Sequence, residues 1–362
     1  MNGKSTQKKV AILIPAYNGE QYIDKLFKSI CRDTYPKENL GIFVVDNASS
    51  DQTVARITNY ELPMTKVTVI QNKTNLYFAK AINQAATAAM SAGYDELILL
   101  NQDTTVLPGW IDELLKVRAQ KPEAAAIQSR LMKPDGSINC LGNAIHYLGF
   151  GFSVGNGKKY PISPPSRQAG NIQYPAFWSV TYPSGAAMMV SALDWKESGG
   201  LLELLEMYHE DQEWGQRMNL RGRTSYCARD SVVVHDYQFE QAPYKYYFME
   251  RNRLVVLLLY YHLWTLLLIT PIFFVMELGM VAFSIKNGWW REKFRSYRDA
   301  IRMLPQTLRL RKKSLVLRKV SDRDILKRME ATIKDQPVNN VILDRIANPV
   351  LNAYYQFILL LL

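Results

Sequence analysis

The sequence predicts an α/β domain with a doubly wound, covered sheet, followed by a helical region of a different character. Three observations carry this. Short apolar runs alternate with helix-patterned segments from residue 10 to about residue 128, as expected of strands joined by helical crossovers. The run Leu97-Ile98-Leu99-Leu100 is apolar throughout and stops abruptly at Asn101-Gln102-Asp103. A strand with no polar face belongs to a sheet covered on both sides, and ligands of such sheets bind beyond the carboxyl ends of the strands. Finally, the longest apolar stretch and the net positive charge both lie after residue 253. With 362 residues and 48% hydrophobic content, the chain can bury one large core and carry an appendage.

Val10-Ala11-Ile12-Leu13-Ile14 forms the first strand, ended by Pro15, and Asn18-Gly19 makes the turn. Residues 21–31 place Tyr22, Ile23, Leu26, Phe27 and Ile30 at helical spacing. Residues 41–45 form a second strand that runs into Asp46-Asn47-Ala48-Ser49-Ser50-Asp51. Ser49 with Gln52 three residues on predicts a capping box at the next helix. A third strand over 67–70 and an Ala-rich helix over 77–90 follow. Asp46 and Asp103 thus end two strands and face one crevice. Read alone, Asp103 either handles a metal or phosphate or simply turns the chain, since Asn and Asp favour turns. No G-x-G-x-x-G follows the first strand and no G-x-x-x-x-G-K-[ST] occurs, which argues against a dinucleotide oxidoreductase and a P-loop NTPase. A site that handles diphosphates with acids needs a divalent cation between them.

Residues 135–179 are rich in Gly, Pro, Ser and aromatics and read as a variable loop region, with room for a hairpin, that shapes a cleft. An apolar strand returns over 182–190, its entrance Ser184-Gly185-Ala186 made of small residues that let a ligand approach the backbone or simply pack. In Tyr208-His209-Glu210-Asp211-Gln212-Glu213-Trp214, acids occupy the first turn of a helix, where the dipole keeps them ionised. An ionised carboxylate at a cleft can serve as a general base, although acids at this position also simply complement the dipole. Val232-Val233-Val234-His235 ends another strand on a histidine.

These motifs, in this order, resemble family 2 glycosyltransferases of the GT-A fold. The matching pieces are Ile14 to Asn18, Val45 to Asp51, Asn75 with Ala79 and Asn83, Asn101 to Asp103, Glu210 to Trp214, His235 and the Arg251-Asn252 pair, spread over roughly two thirds of the chain. The resemblance implies a Rossmann-like nucleotide-sugar domain over 1–253. Pro15, Tyr17, Asn18, Asp46, Asn47, Asn75, Asn101 and Gln102 would then contact the donor nucleotide, with Asp46 accepting from the nucleobase. It further implies Asp211 as catalytic base with Glu210 beside it, and Gly185, Trp214 and Arg251 near the donor or acceptor sugar. Asp103 and His235 would hold Mg²⁺ or Mn²⁺. Asn101 departs from the D-x-D pattern at its first acid, which weakens the metal contact and resembles rhamnosyltransferase-like members. The same departure motivates the alternative of a non-catalytic scaffold. The Gln-x-x-Arg-Trp motif of processive synthases is absent. The expected activity is inverting transfer from a dTDP-, UDP- or GDP-sugar to a lipid-linked glycan acceptor.

Residues 254–285 carry one formal charge, Glu277, with Pro271 in the middle. As one straight helix they would reach ~48 Å, beyond a hydrocarbon core of ~30 Å, so a break at Pro271 is expected. The basic region 286–362 follows. Its 286–334 segment has 16 Lys and Arg against 5 Asp and Glu, an excess equal to the net charge of +11. Cations beside a greasy segment favour anionic lipid over nucleic acid, and a single span would put them on the wrong side of the membrane. The expectation is peripheral or re-entrant attachment to the cytoplasmic face of the cell membrane, with no nucleic-acid partner. The polar start of the chain does not read as a signal peptide, and Cys31, Cys140 and Cys227 read as reduced thiols.

Overall fold

In the computed structural model, which describes residues 8–60, 66–160, 175–237, 242–334, 341 and 343–362, successive residues of the first strand point to opposite sides of a sheet and both sides are buried. The elements run β1 (Val10–Ala16), α1 (Glu20–Cys31), β2 (Leu40–Asp46), α2 (Thr53–Thr58), β3 (Lys66–Gln71), α3 (Tyr77–Ser91), β4 (Glu96–Leu100), β5 (Thr104–Val106) and α4 (Trp110–Gln120). Then come β6 (Ile127–Met132), β7 (Ile138–Cys140), β8 (Asn143–Ile145), β9 (Gly151–Ser153), β10 (Phe177–Val180), β11 (Ala187–Ser191), α5 (Ala192–Ser198), α6 (Glu210–Leu220) and β12 (Ser225–His235). The C-terminal helices are α7 (Pro243–Tyr260), α8 (Leu263–Lys286), α9 (Trp290–Val316), α10 (Asp322–Leu326) and α11 (Asn348–Leu361).

The main sheet has the order β10-β12-β6-β11-β4-β1-β2-β3, with β5 and β7 attached to β12 and β6. The neighbours β3, β2, β1 and β4 are parallel, and β11 is antiparallel to both β4 and β6. The sheet is therefore mixed, where the alternation of elements had predicted a doubly wound one. On one face Ile12, Ile14, Ile42 and Val44 pack with Leu26 and Phe27 of α1 and Leu114 of α4. On the other, Leu13, Phe43, Val45 and Leu99 meet the alanines of α3 and Trp214 and Met218 of α6. Period-two alternation in the strands and period-3.6 spacing in the helices make these two layers. Alanine at Ala81, Ala85 and Ala89 lets α3 approach the sheet closely.

A second core lies beside the sheet. Tyr147 and Leu148 after β8 join Val255, Leu259 and Tyr260 of α7, Ile269 and Ile272 of α8, and Leu351 and Ile358 of α11. The boundary expected after residue 253 falls inside α7. The break in the apolar stretch comes at Tyr261-His262, and α8 continues through Pro271. The physical reason lies in distant partners. His262 N donates to Asp322 at 2.8 Å, stopping α7. Beside the proline, Tyr354 Oη of α11 donates to Leu268 O and Thr270 Oγ1 to Leu266 O, bonds that hold the helix on either side of it. The capping box is also replaced. Ser49 Oγ accepts from Asn18 N, while Asp51 Oδ1 accepts from Thr53 N at 3.0 Å and starts α2. In the 135–179 region β8 and β9 form the hairpin, and residues 161–174 lie outside the described residues.

Candidate active site

The sheet delivers its polar residues to one edge. β1, β2 and β4 are parallel neighbours, and β6 and β12 run in the same direction beyond β11. Their carboxyl ends place Tyr17 and Asn18, Asp46, Asn101 to Asp103, and His235 along that edge. β11 runs the other way, so its entrance Ser184-Gly185-Ala186 joins them, and Ala186 O accepts from Asn101 N at 3.0 Å.

At the ends of β1 and β2 the edge is a set of interlocked loops. Asp46, 3% exposed, accepts the Ser49 amide at 3.2 Å. Asn18 Oδ1 accepts from Ser50 N at 2.8 Å, joining the loops after β1 and β2. Gln102 holds the Tyr17 backbone at both ends of its amide, accepting from N and donating to O at 3.0 Å each. A Cβ on Gly19 would stand 2.3 Å from Gln102 Oε1, so this clamp requires glycine there. Asn47 Oδ1 accepts from Asn72 and from Leu76 N, and Asn75 Oδ1 caps α3 through Tyr77 N at 2.8 Å. Pro15 is half-buried at the end of β1, while Tyr17 is exposed. Asn47 and Asn75 thus shape the crevice by bonding protein atoms.

At the tips of β4 and β12, Asp103 Oδ1 stands 3.3 Å from His235 Nε2. His235 Nδ1 lies 3.2 Å from Asn139 Oδ1. An amide oxygen only accepts, so Nδ1 donates to it. Asn101 Nδ2 reaches the same Nε2 at 3.5 Å, while Asn101 Oδ1 is buried with no hydrogen-bond partner. A carboxylate oxygen and a ring nitrogen this close either share a proton or hold a cation between them. Carboxylate, imidazole and an orphaned amide oxygen fit a divalent cation whose remaining ligands come from a diphosphate. Among the described residues no three His, Cys, Asp or Glu side chains cluster to hold a metal alone.

Asp211 is the second residue of α6. Its Oδ2 accepts from Gly185 N at 3.0 Å and its Oδ1 from Gln212 N at 2.7 Å. Burial raises the Asp211 carboxyl, and these two amides offset part of the rise. Burial, then the charge of Asp211, push Glu210 well above the usual carboxylate range, and Glu210 Oε2 is buried without a partner. The pair therefore carries its proton on Glu210 and its charge on Asp211. The dipole alone was expected to keep both acids ionised, and for Glu210 burial outweighs it. The loop leading in is strained, with positive φ at Glu206 (62°), Tyr208 (63°) and His209 (66°). Asn252 donates to Leu205 O, Met207 O and Tyr208 O, and Arg251 to Leu205 O and Glu206, holding it in place.

Three residues expected near the sugars have other partners. Trp214 is fully buried, stacked on Trp195 with Nε1 bonded to Ser198 Oγ, because its helix position faces the sheet. Arg251, 5% exposed, spends its guanidinium on Glu206 and the loop carbonyls. Gly185 gives its amide to Asp211. Asn139 and Asn252 are the residues the sequence reading left without a role. The alternation Ile138-Asn139-Cys140, buried on either side, was the available signal for Asn139.

A family described as Glycosyl transferase family 2 matches residues 11–191, half of the chain. The O-antigen biosynthesis protein RfbC of Myxococcus xanthus is 28% identical over 231 residues, 63% of this chain but only 17% of that protein. The N-acetylglucosaminyl-diphospho-decaprenol L-rhamnosyltransferase of Mycobacterium tuberculosis is 25% identical over 235 residues, covering 62% of this chain and 75% of the relative. A crystal structure of GalNAc-T7 with UDP, GalNAc and Mn²⁺ superposes with a TM-score of 0.56 at 15% identity, over 72% of this chain and 49% of that one. Its likeness shows a shared GT-A-like fold. The chain belongs to glycosyl transferase family 2.

Proposed function

We propose that this protein is an inverting, cation-assisted glycosyltransferase of cell-surface polysaccharide assembly, moving one sugar from a nucleoside-diphosphate sugar to a hydroxyl of a lipid-linked glycan. The observation that carries this reading is the convergence of Asp46, the Asp103–His235 pair and Asp211 on one sheet edge. Asp46 is placed to accept from a nucleobase. Asp103, His235 and Asn101 would hold Mg²⁺ or Mn²⁺, which when bound neutralises charge on the diphosphate leaving group. Asp211 Oδ takes the proton of the acceptor hydroxyl as that oxygen bonds the anomeric carbon. The bond from that carbon to the diphosphate breaks on the opposite face, which inverts the configuration. The lipid-linked acceptor is supported by the decaprenyl substrate named for the Mycobacterium relative and by the apolar face of α8. We place the enzyme on the cytoplasmic face of the membrane, where nucleotide sugars are available.

The test is nucleoside-diphosphate release with Mn²⁺ from dTDP-, UDP- and GDP-sugars, with and without a polyprenyl-linked acceptor. Release from one donor, lost on chelation and in both Asp103→Ala and Asp211→Asn, is the expected result. No release from any donor and no nucleotide-sugar binding would sink the reading.

A further inference from the structure

We propose that the outer face of α8, continued by the start of α9, is a monotopic attachment surface that lies flat in one anionic leaflet and does not cross the bilayer. It deepens the lipid side of the reading above, while its geometry is independent of the transfer chemistry. α8 is turned inside out relative to a surface helix of a soluble protein. Its buried positions include Thr265, Glu277 and Ser284. Its outward positions Leu263, Trp264, Leu267, Phe274, Val275 and Leu278 are between 55% and 73% exposed. Two of the six are aromatic, each offering ~150–250 Å² when fully exposed, and with the four aliphatic side chains they reach the ~300–600 Å² of the largest apolar patch on a typical soluble monomer.

The inward side of α8 is tied to the protein from end to end, and this decides the orientation. Near its start Thr265 bonds Asp322, and Leu268 O accepts from Tyr354 of α11. In its second half Glu277 pairs with Arg253 of α7 and with Lys293 of α9. Arg253 Nη1 also donates to Leu148 O of the second core. A spanning helix of 24 residues, ~36 Å long, would drag all these partners into a hydrocarbon core of ~30 Å. Lying in the plane, α8 offers lipid only its apolar half-cylinder. α9 supplies the charge complement. It opens with exposed Trp290 beneath Arg291, and exposed Arg295 and Arg298 follow in the next turns, cations suited to anionic head groups.

The full chain, purified in detergent, is mixed with vesicles of phosphatidylcholine alone or with phosphatidylglycerol, the detergent is removed, and the vesicles are floated. We expect flotation enriched at least ~10-fold by the anionic lipid. The triple variant Leu267→Glu, Phe274→Glu, Leu278→Glu should lose it while keeping its far-ultraviolet circular dichroism and its donor hydrolysis. Orientation is read on protein added to preformed vesicles, in a Cys31→Ser background whose remaining Cys140 and Cys227 are buried, with one cysteine added at a time as His262→Cys or Asn287→Cys. Both should react with an impermeant maleimide from outside. Protection of the Asn287→Cys position on intact vesicles means spanning and overturns the proposal. So does failure to float with a detergent-free dimer that hides the face, or flotation that the triple variant leaves unchanged. Loss of donor turnover with flotation intact would count against the transferase reading alone.

Discussion

The sheet edge and the C-terminal helices place their polar groups in opposite ways. At the edge, apolar strands fill the interior and the carboxylates gather at strand tips beside a crevice, as Asp46 and Asp103 do. In the helices the charges turn inward. Glu250, Arg253, Glu277 and Lys293 form a buried quartet of two acids and two bases, and the apolar side chains of α8 face out. Burial alone would raise the Glu250 carboxyl, but the charges of Arg253 and Lys293 outweigh it and hold Glu250 at about 2. The edge keeps unpaired acceptors, whereas in the quartet every charge meets an opposite one. One arrangement leaves groups open to a ligand and the other ties helices to one another. α7 links them through consecutive residues, since Arg251 and Asn252 hold the loop before Asp211 and Arg253 holds the quartet.

Breaking the first member of the comparison should have the largest effect. Asp211→Asn removes the base but keeps an oxygen for the Gly185 amide, so turnover should fall ~10²–10⁴-fold with folding and donor affinity retained. Steady-state release of nucleoside diphosphate, alongside donor binding by calorimetry, checks both halves. Breaking the second member comes next. Glu277→Leu leaves a buried excess positive charge on Arg253 and Lys293 and should cost ~3–5 kcal/mol of stability, read by denaturant unfolding in detergent. Adding Lys293→Met restores neutrality around the Glu250–Arg253 pair and should recover most of that loss. If the double variant is no more stable than the single one, the quartet is not the unit described above.

A smaller effect sharpens the contrast between satisfied and unsatisfied polar groups. Asn139 acts on His235 only by accepting its Nδ1 proton, so Asn139→Ala frees the ring tautomer. Mn²⁺ affinity in the presence of nucleoside diphosphate should weaken ~10–100-fold, and Asn139→Asp, which keeps an acceptor, should restore it. Titration calorimetry reads this without turnover, and unchanged affinity in Asn139→Ala would remove Asn139 from its positioning role.

The same contrast explains what was legible in the sequence. Apolar runs ending in Asp46, Asp103 and His235 announced both the strands and the edge, because each depends on local pattern. The apolar stretch around Glu277 announced helices for the same reason, though with their break at Pro271. Distant partners remained hidden. Trp214 sits within an acidic motif, yet its neighbours Trp195 and Ser198 decide that it faces the core. Asp322, sixty positions away, stops α7 at His262 instead of the break falling at Pro271. The antiparallel β11 inserts between β4 and β6, an order that alternating elements alone do not reveal. Glu210 looked like one more acid favoured by a helix dipole until its burial was known.

The smallest expected effect tests how Glu210 and Asp211 divide one charge. The folded pKa of Asp211 is raised, by burial first, so activity that needs its carboxylate should rise with pH along a limb above the ordinary carboxylate range and fall about tenfold per unit below it. Linkage runs in the opposite direction. Two acids with raised folded pKa values add stability below their unfolded pKa, and it is lost as pH climbs through the folded values. Activity and stability should therefore trade off across the same window. Because Glu210 holds its proton there, Glu210→Gln should leave the limb of kcat/KM against pH where it was while removing part of the pH dependence of unfolding. A limb that moves to lower pH in Glu210→Gln would mean that the charge is shared between the two acids, and Asp211 would then owe part of its basicity to its neighbour as well as to its burial.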